Sequence, residues 1–257
     1  MSADASIRIL ALDGIPEIRE GDDLGVFIGN AIQRTAGALP LTREDVLVVT
    51  QKIVSKAEGA VVDLMTVTPR REAIKFAERF DRDPRQIEVV LREARRVVRM
   101  QNGVLITETA HGFVCANGGI DASNVGPASG SVVTLLPVDP DASATRIRAA
   151  IRARYGVDVP VVMSDSFGRP WRWGIVDVAI GVSGLLPLED LRGVPDADGR
   201  VMKSTVRAVA DELASAADLA GGKVDQRPVV VIRGYDWRPS DAGASVLVME
   251  PERDLFP

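Results

Sequence analysis

Acidic and hydroxyl side chains in this chain follow two apolar runs, where those runs meet glycine-containing loops. Asp165 stands between Ser164 and Ser166 after the run at residues 159–163, and Asp121 follows Gly118 and Gly119. Divalent cations such as Mg²⁺ or Mn²⁺ prefer carboxylate, hydroxyl and phosphate oxygens. Two aspartates brought together by the fold would therefore suit a cation that bridges a nucleotide's phosphates. The alternative is that both are turn residues that bond their own backbone.

Basic and aromatic side chains offer a second group of candidates. Lys56 follows a predicted strand end, where its ammonium either neutralises a phosphate or is solvated on a helix surface. Arg169 and Arg172 could hold a carboxylate or phosphate through paired hydrogen bonds. Trp171 between them either covers a flat ring of a substrate or packs at a sheet edge. We take these three residues as candidate substrate contacts.

Asp177 places a charge inside an otherwise apolar predicted strand. It is either buried beside a partner such as an arginine or metal, or it faces water at a sheet edge. The only histidine, His111, excludes zinc sites that need two imidazoles. His111 and the only cysteine, Cys115, are expected to pack rather than to catalyse, because neither has a relay partner nearby in sequence.

The pattern of apolar residues predicts an α+β fold with mixed and antiparallel β-sheets covered by helices. Several strands appear directly connected, which argues against a regular doubly wound fold. Strands are predicted at residues 7–12, 45–50, 103–109, 112–116, 131–137, 159–163, 175–182 and 227–233. Helices are predicted at residues 24–36, 69–80, 84–100, 142–155 and 202–219, with a short one from a Thr50 cap through Val54.

Composition excludes several classes of protein. The net charge of −5 argues against a nucleic-acid-binding protein, because phosphate backbones require surplus Lys and Arg. No apolar run is long enough to cross a membrane, and the first residues lack a signal-peptide pattern. A single cysteine suits a reducing compartment, so a cytoplasmic location is expected. No Walker or Rossmann glycine pattern occurs.

Three segments resemble the coenzyme F420:L-glutamate ligases, the γ-glutamyl ligases of deazaflavin biosynthesis. They are residues 48–59, residues 111–124 and residues 164–181, in the family's order. The likeness covers almost the whole chain, so residues 1–257 are expected to form one ligase domain without a C-terminal flavin-binding domain. The resemblance implies a two-lobed protomer that forms an intertwined homodimer.

The resemblance also implies the chemistry. GTP activates the carboxylate of the precursor coenzyme F420-0 as an acyl phosphate, and the amine of L-glutamate displaces phosphate to form an amide. One or more glutamates are added through γ-linkages. The implied cofactors are Mg²⁺ or Mn²⁺, with up to two cations per site, and a role for K⁺ is left open.

By position, Asp121 and Asp165 match the family's ligands of one cation and its catalytic residues. Ser166 matches a ligand of the second cation. The positions that match nucleotide contacts are Ile15, Pro16, Glu17, Ile18, Gln51, Lys56, Asn124, Gly221 and Gly222.

One departure concerns the second cation. The family has a glutamate where this chain has Gly222, and Asp225 or Gln226 is a candidate replacement if the loop shifts. Two other functions use the same residues. A metal-dependent phosphohydrolase would use water as the nucleophile, and a silent deazaflavin-binding protein would have lost turnover.

Overall fold

The computed structural model describes residues 6–122 and 130–254. These residues form six α-helices and four β-sheets, so the prediction of mixed and antiparallel sheets is confirmed. The largest sheet has five strands in the order β1-β12-β2-β8-β9. Its strands are β1 (Arg8–Ala11), β2 (Asp45–Thr50), β8 (Val161–Arg169), β9 (Arg172–Ser183) and β12 (Val229–Arg233).

The direction of the strands in this sheet determines where side chains collect. β2 pairs with β8 in parallel, while β12 is antiparallel to both of its neighbours, β1 and β2. β1, β2 and β8 therefore run in the same direction. β1 and β2 end at one edge, where β12 begins, and β8 continues past it to Arg169. Loops that leave such an edge commonly hold ligands.

The five-stranded sheet has an apolar core on each face. Leu47 and Val49 of β2 face one core, and Val46 and Val48 face the other. The first core is covered by α1 (Leu24–Arg34) and α5 (Pro140–Tyr155), and the second by α6 (Val209–Gly221). Burial of each such side chain contributes about 1.5–3 kcal/mol to folding. Burial on both faces explains why β2, β8 and β12 read as nearly continuous apolar runs.

The segment between β2 and α5 forms smaller sheets with their own apolar clusters. It contains α2 (Gln51–Ala57), β3 (Val61–Asp63), α3 (Arg71–Phe80), α4 (Pro84–Glu93), β4 (Arg96–Gln101), β5 (Val104–Glu108), β6 (Val114–Ala116) and β7 (Val132–Thr134). Within this segment, the Ser55 hydroxyl of α2 donates to the Leu135 carbonyl, just after β7, at 2.6 Å. A two-lobed protomer and an intertwined homodimer stay predictions.

The helix predicted at residues 84–100 is wrong in its second half. α4 ends at Glu93, and β4 then pairs with β5 as a hairpin. Asn102 and Gly103 connect the two strands with φ values of 53° and 74°. Asn-Gly is the pair that a tight hairpin turn prefers, because both positions require positive φ. That local signal should have outweighed the helical spacing of the apolar residues.

Two other predicted boundaries and one predicted helix cap are corrected. The helix predicted from residue 202 begins at Val209, because β11 (Val206–Arg207) first pairs with β10 (Glu189–Asp190). The strand predicted to stop at Met163 continues to Arg169 as one arm of the β8–β9 hairpin. Thr50 precedes α2, but its side chain makes no capping hydrogen bond. Among the helices that the structure describes, none has the length and apolar content needed to cross a membrane.

Candidate active site

A cavity of about 430 Å³ opens at the edge where β1 and β2 end and β12 begins, beside the middle of β8. Its walls come from the loop after β1, the start of α2, the middle of β8 and the loop between α6 and β12. Most of the residues predicted as site residues line it. They are Ile15, Pro16, Glu17, Ile18, Gln51, Lys56, Asp121, Asp165, Ser166 and Gly222.

Asp121 reaches the cavity from the smaller sheets. The turn at Asn117–Gly119 precedes it, with Gly118 and Gly119 both at positive φ. Its backbone then forms a two-bond bridge with Thr134, at the end of β7. The Asp121 carboxylate accepts from the Lys52 ammonium at 2.6 Å. Asp121 therefore has a fixed backbone and a carboxylate paired with a lysine.

Asp165 reaches the cavity from the large sheet. β2 pairs with β8 only as far as Thr50 and Ser164, and the chain then turns away as α2. Asp165 thus lies just past the last pairing, at the opening left by β2. Burial, followed by the charges of Asp177 and Asp121, raises the pKa of its carboxyl to about 7. Among the described residues, none forms an ion pair with Asp165.

The two aspartates fit one divalent cation. Asp165 is a buried carboxylate with a raised pKa, and the charge of Asp121 contributes to that rise. Such a perturbed group in a cleft is a common mark of a functional site. In the part of the chain that the structure describes, no three His, Cys, Asp or Glu residues group closely enough to enclose a metal. A cation here would therefore complete its coordination with water and phosphate oxygens, as Mg²⁺ usually does.

Lys56 is buried in the cavity wall, so its interpretation as a solvated helix lysine is wrong. Its ammonium donates to the Glu17 carboxylate at 2.6 Å. Gln51, one turn earlier on α2, is buried, and its side-chain amide lies 2.6 Å from the Ser55 hydroxyl oxygen. The short helix α2 thereby carries two predicted nucleotide contacts, Gln51 and Lys56, and Lys56 links it to the loop after β1. These roles stay predictions.

The question left open for Asp177 is answered by its burial, since only 4% of the residue is exposed. It accepts hydrogen bonds from the hydroxyls of Ser164 and Ser166, at 3.1 and 2.7 Å. The Lys223 ammonium lies 2.6 Å from the same carboxylate. Asp177 is thus a buried carboxylate with a lysine partner.

Sequence reasoning missed four charged residues that line the cavity, namely Lys52, Asp218, Lys223 and Arg227. Lys52 follows Gln51 in a segment already singled out, so its place in that segment was an available signal. Lys223 and Arg227 lie on either side of Asp225 and Gln226, the proposed replacements for the family glutamate. Of these two, Gln226 lines the cavity and Asp225 does not.

Several candidates lie away from the cavity or outside the described residues. Arg169, Trp171 and Arg172 are at the tip of the β8–β9 hairpin, where Arg169 donates to the Trp173 carbonyl at 2.8 Å. Gly221 ends α6 beside the cavity without lining it. Asn124 lies outside the described residues. A role for these five residues in binding stays a prediction.

His111 and Cys115 pack as expected. The His111 Nε2 atom lies 3.0 Å from the Pro137 carbonyl oxygen, and its ring stacks on Phe113 with centroids 5.7 Å apart. Cys115 is buried, and burial raises the pKa of its thiol to about 12. A thiol with this pKa is protonated at neutral pH and is a poor nucleophile.

Comparison with protein families gives the context for this geometry. The model of the F420-0:Gamma-glutamyl ligase family matches residues 14–234, which span all of the cavity-lining residues. The chain belongs to this family. The F420-0:Gamma-glutamyl ligase match thus includes both aspartates and the loop that carries Lys223.

Individual relatives agree over nearly their whole length. A coenzyme F420:L-glutamate ligase of Methanothermobacter thermautotrophicus is 42% identical over 253 residues, covering 97% of this chain and 98% of the relative. The ligase of the same description from Methanopyrus kandleri is 41% identical over 255 residues, covering 96% and 97%. That of Methanocaldococcus jannaschii is 40% identical over 240 residues, covering 92% and 95%.

Proposed function

We propose that this protein is a GTP-dependent ligase that adds L-glutamate to coenzyme F420-0. The observation that supports this is one shared cavity, where β1 and β2 end beside the middle of β8. Asp121, Asp165, Ser166, Gln51 and Lys56 all line it. These residues come from three separate segments of the chain. All three segments carry the family's motifs.

The proposed reaction has two steps. A carboxylate oxygen of coenzyme F420-0 attacks the γ-phosphorus of GTP, and GDP leaves with the electrons of the broken bond. The amine of L-glutamate then attacks the acyl phosphate, loses a proton and expels inorganic phosphate. The amide forms because phosphate is a far better leaving group than the oxygen of a free carboxylate.

The cavity residues have separate tasks in this scheme. Asp121 and Asp165 would hold a divalent cation, which would supply charge stabilisation to the transferring phosphoryl group. Lys56, held by Glu17 in the cavity wall, would neutralise a phosphate oxygen as a point charge. Gln51, oriented by Ser55, would contribute a hydrogen bond to the nucleotide.

We further propose that the enzyme works in the cytoplasm as a homodimer with Mg²⁺ or Mn²⁺, and that one or more glutamates are added. Light scattering on the purified protein gives the oligomeric state, and a mass of about 27.5 kDa would contradict the dimer. Assays with and without K⁺ decide whether a monovalent cation assists.

Mass spectrometry of the deazaflavin product tests the central proposal. The full-length protein is incubated with coenzyme F420-0, GTP, L-glutamate and Mn²⁺, and each reactant is omitted in turn. Mass increments of one glutamate residue, together with GDP and phosphate that form only in the complete mixture, are expected. Equal phosphate release without glutamate or precursor would instead indicate a phosphohydrolase. Ligand binding without any turnover would indicate a silent binding protein.

A further inference from the structure

Resting on the function proposed above, we infer that the ammonium of Lys223 takes the place of a second divalent cation. The active site would then work with one metal ion, held by Asp121 and Asp165. Ser166, which the family resemblance assigns to the second cation, already accepts a hydrogen bond from Lys223 at 2.7 Å. The residues around Ser166 therefore do not fit an additional metal ion.

The contacts of Lys223 are those of a bound cation. Its Nζ atom lies 2.6 Å from Asp177 Oδ1, 2.8 Å from Asp218 Oδ1 and 2.7 Å from the Ser166 hydroxyl oxygen. An ammonium group carries three protons, so it can donate one to each of these oxygens. Two carboxylates and one hydroxyl also form a set of oxygen ligands that a hard divalent cation would use.

The buried carboxylate of Asp177 needs a positive charge, and Lys223 supplies it. A carboxylate in an apolar strand is costly to bury unless it is paired and hydrogen-bonded. The Lys223 Nζ atom lies 2.6 Å from Asp177 Oδ1 and 2.8 Å from Asp218 Oδ1. The ammonium is thus held between two negative charges. A divalent cation placed beside it would be repelled.

The backbone before Lys223 removes the alternative ligand. Gly222 has φ +66°, and a Cβ atom at this position would lie 2.2 Å from the Asp225 carboxylate. A residue with a side chain would be strained at this φ, and the Asp225 side chain would have to move. Gly222 also ends α6, and its amide donates to the Asp218 carbonyl at 2.9 Å. Lys223 thus follows a helix carboxyl end, where the backbone dipoles favour a positive charge.

Counting bound Mn²⁺ by electron paramagnetic resonance tests the inference. The full-length wild-type protein is titrated with MnCl₂ in the presence of a saturating non-hydrolysable GTP analogue, guanosine 5′-(β,γ-imido)triphosphate. We expect one Mn²⁺ per chain. Lys223→Met leaves the oxygens of Asp177, Asp218 and Ser166 without the ammonium, so we expect two Mn²⁺ per chain. Lys223→Arg, which keeps the charge, should bind one.

Lys75→Met is the matched control, because Lys75 is exposed on α3 and does not line the cavity. It should bind one Mn²⁺ per chain. A wild-type count of two, a wild-type count of zero, or a Lys223→Met count of one would each overturn the inference. If Lys223→Met does not fold, the wild-type and Lys223→Arg counts still decide it.

The Mn²⁺ count is measured independently of turnover. The proposed ligase activity and the proposed role of Lys223 can therefore be contradicted by different results. Two bound Mn²⁺ together with normal formation of the glutamylated product would overturn only the role of Lys223. Absence of product in a protein that binds one Mn²⁺ would overturn the proposed ligase activity and leave the role of Lys223 supported.

Discussion

The ammonium nitrogen of Lys52 lies 2.6 Å from the Asp121 carboxylate, and that of Lys223 lies 2.6 Å from the Asp177 carboxylate in the wall of the same cavity. The charges of both aspartates act on Asp165, which among the described residues has no ion-pair partner of its own. A cation that binds both Asp121 and Asp165 must therefore compete with Lys52 for the Asp121 carboxylate. This competition can be measured.

Lys52→Met is expected to strengthen the binding of Mn²⁺ in the absence of nucleotide by about tenfold, which corresponds to about 1.4 kcal/mol. The reason is that the metal no longer has to displace an ammonium from Asp121. Isothermal titration with MnCl₂ gives the affinity, and Lys75→Met is the control. Unchanged or weaker binding in Lys52→Met would contradict a metal site at Asp121.

Asp165→Asn is expected to lower the rate of ligation by about a thousandfold, or about 4 kcal/mol in the barrier, because it removes a metal ligand beside the transferring phosphoryl group. The same substitution should raise the melting temperature of the metal-free protein, because burial disfavours the ionised Asp165 carboxylate and raises its pKa. Product formation and calorimetry measure the two effects. Asp198→Asn, at an exposed position outside the cavity, should change neither.

Cation binding should depend on pH through Asp165. Its pKa in the metal-free protein is raised to about 7, so below that pH the carboxyl is protonated and must release its proton to bind metal. Mn²⁺ affinity is expected to rise with pH up to about 7 and then level off. Titration at about pH 6 in buffers of different ionisation enthalpy should show proton release. Binding without proton release would contradict the assignment.

The raised pKa of Asp165 also affects folding stability. A carboxyl whose folded pKa lies above its unfolded pKa favours the folded state most strongly at low pH, and this contribution is lost as pH rises toward about 7. The stability advantage of Asp165→Asn over the wild type should therefore be larger at about pH 8 than at about pH 5. Urea unfolding without metal measures the difference.

Glu88 is a buried carboxylate that forms ion pairs in the region of the smaller sheets. It is buried on α4 and accepts from Arg70 and Arg92 at 2.8 and 2.9 Å. Burial raises the pKa of Glu88, but these hydrogen bonds and charges outweigh it and the pKa is lowered. Its contribution to stability is therefore present above the unfolded pKa and is lost as pH falls through the folded one.

Glu88→Gln is accordingly expected to lower the free energy of unfolding by about 1–3 kcal/mol at neutral pH, and by less in acid. Urea unfolding at two pH values measures this loss. Glu93→Gln, exposed on the same helix, is the control and should have little effect. A Glu88→Gln effect that stays constant in acid would show that the charge is unimportant.

Much of the cavity could be predicted because its residues lie next to strand ends. Asp165, Ser166 and Lys56 each follow an apolar run that the structure shows to be a buried strand. The ion pairs could not be predicted in the same way. Lys52 and Asp121 are 69 positions apart, and Lys223 and Asp177 are 46 apart. Such pairs depend on strand order and register, which local periodicity does not specify.

The errors in secondary structure have a similar cause. The apolar residues at 84–100 suit a helical face, but Val97 pairs with Thr107 across the hairpin that turns at Asn102 and Gly103, and Val98 lies at a bulge in that pairing. The polar residues between the strands predicted at 159–163 and 175–182 favour a loop, but they pair as a hairpin up to Arg169 and Arg172. Pairing with a neighbouring strand outweighed local preference in both places.

Asp121 is attached to the small sheets and Asp165 to the large one, so a metal ion bound to both would cross-link two separately packed regions of the chain. Occupancy should then make these regions unfold as one cooperative unit. Amide hydrogen exchange can detect this, because metal would slow exchange in β5 and β7 as well as in β8. The bound ion would thus stabilise the tertiary structure in addition to its part in catalysis.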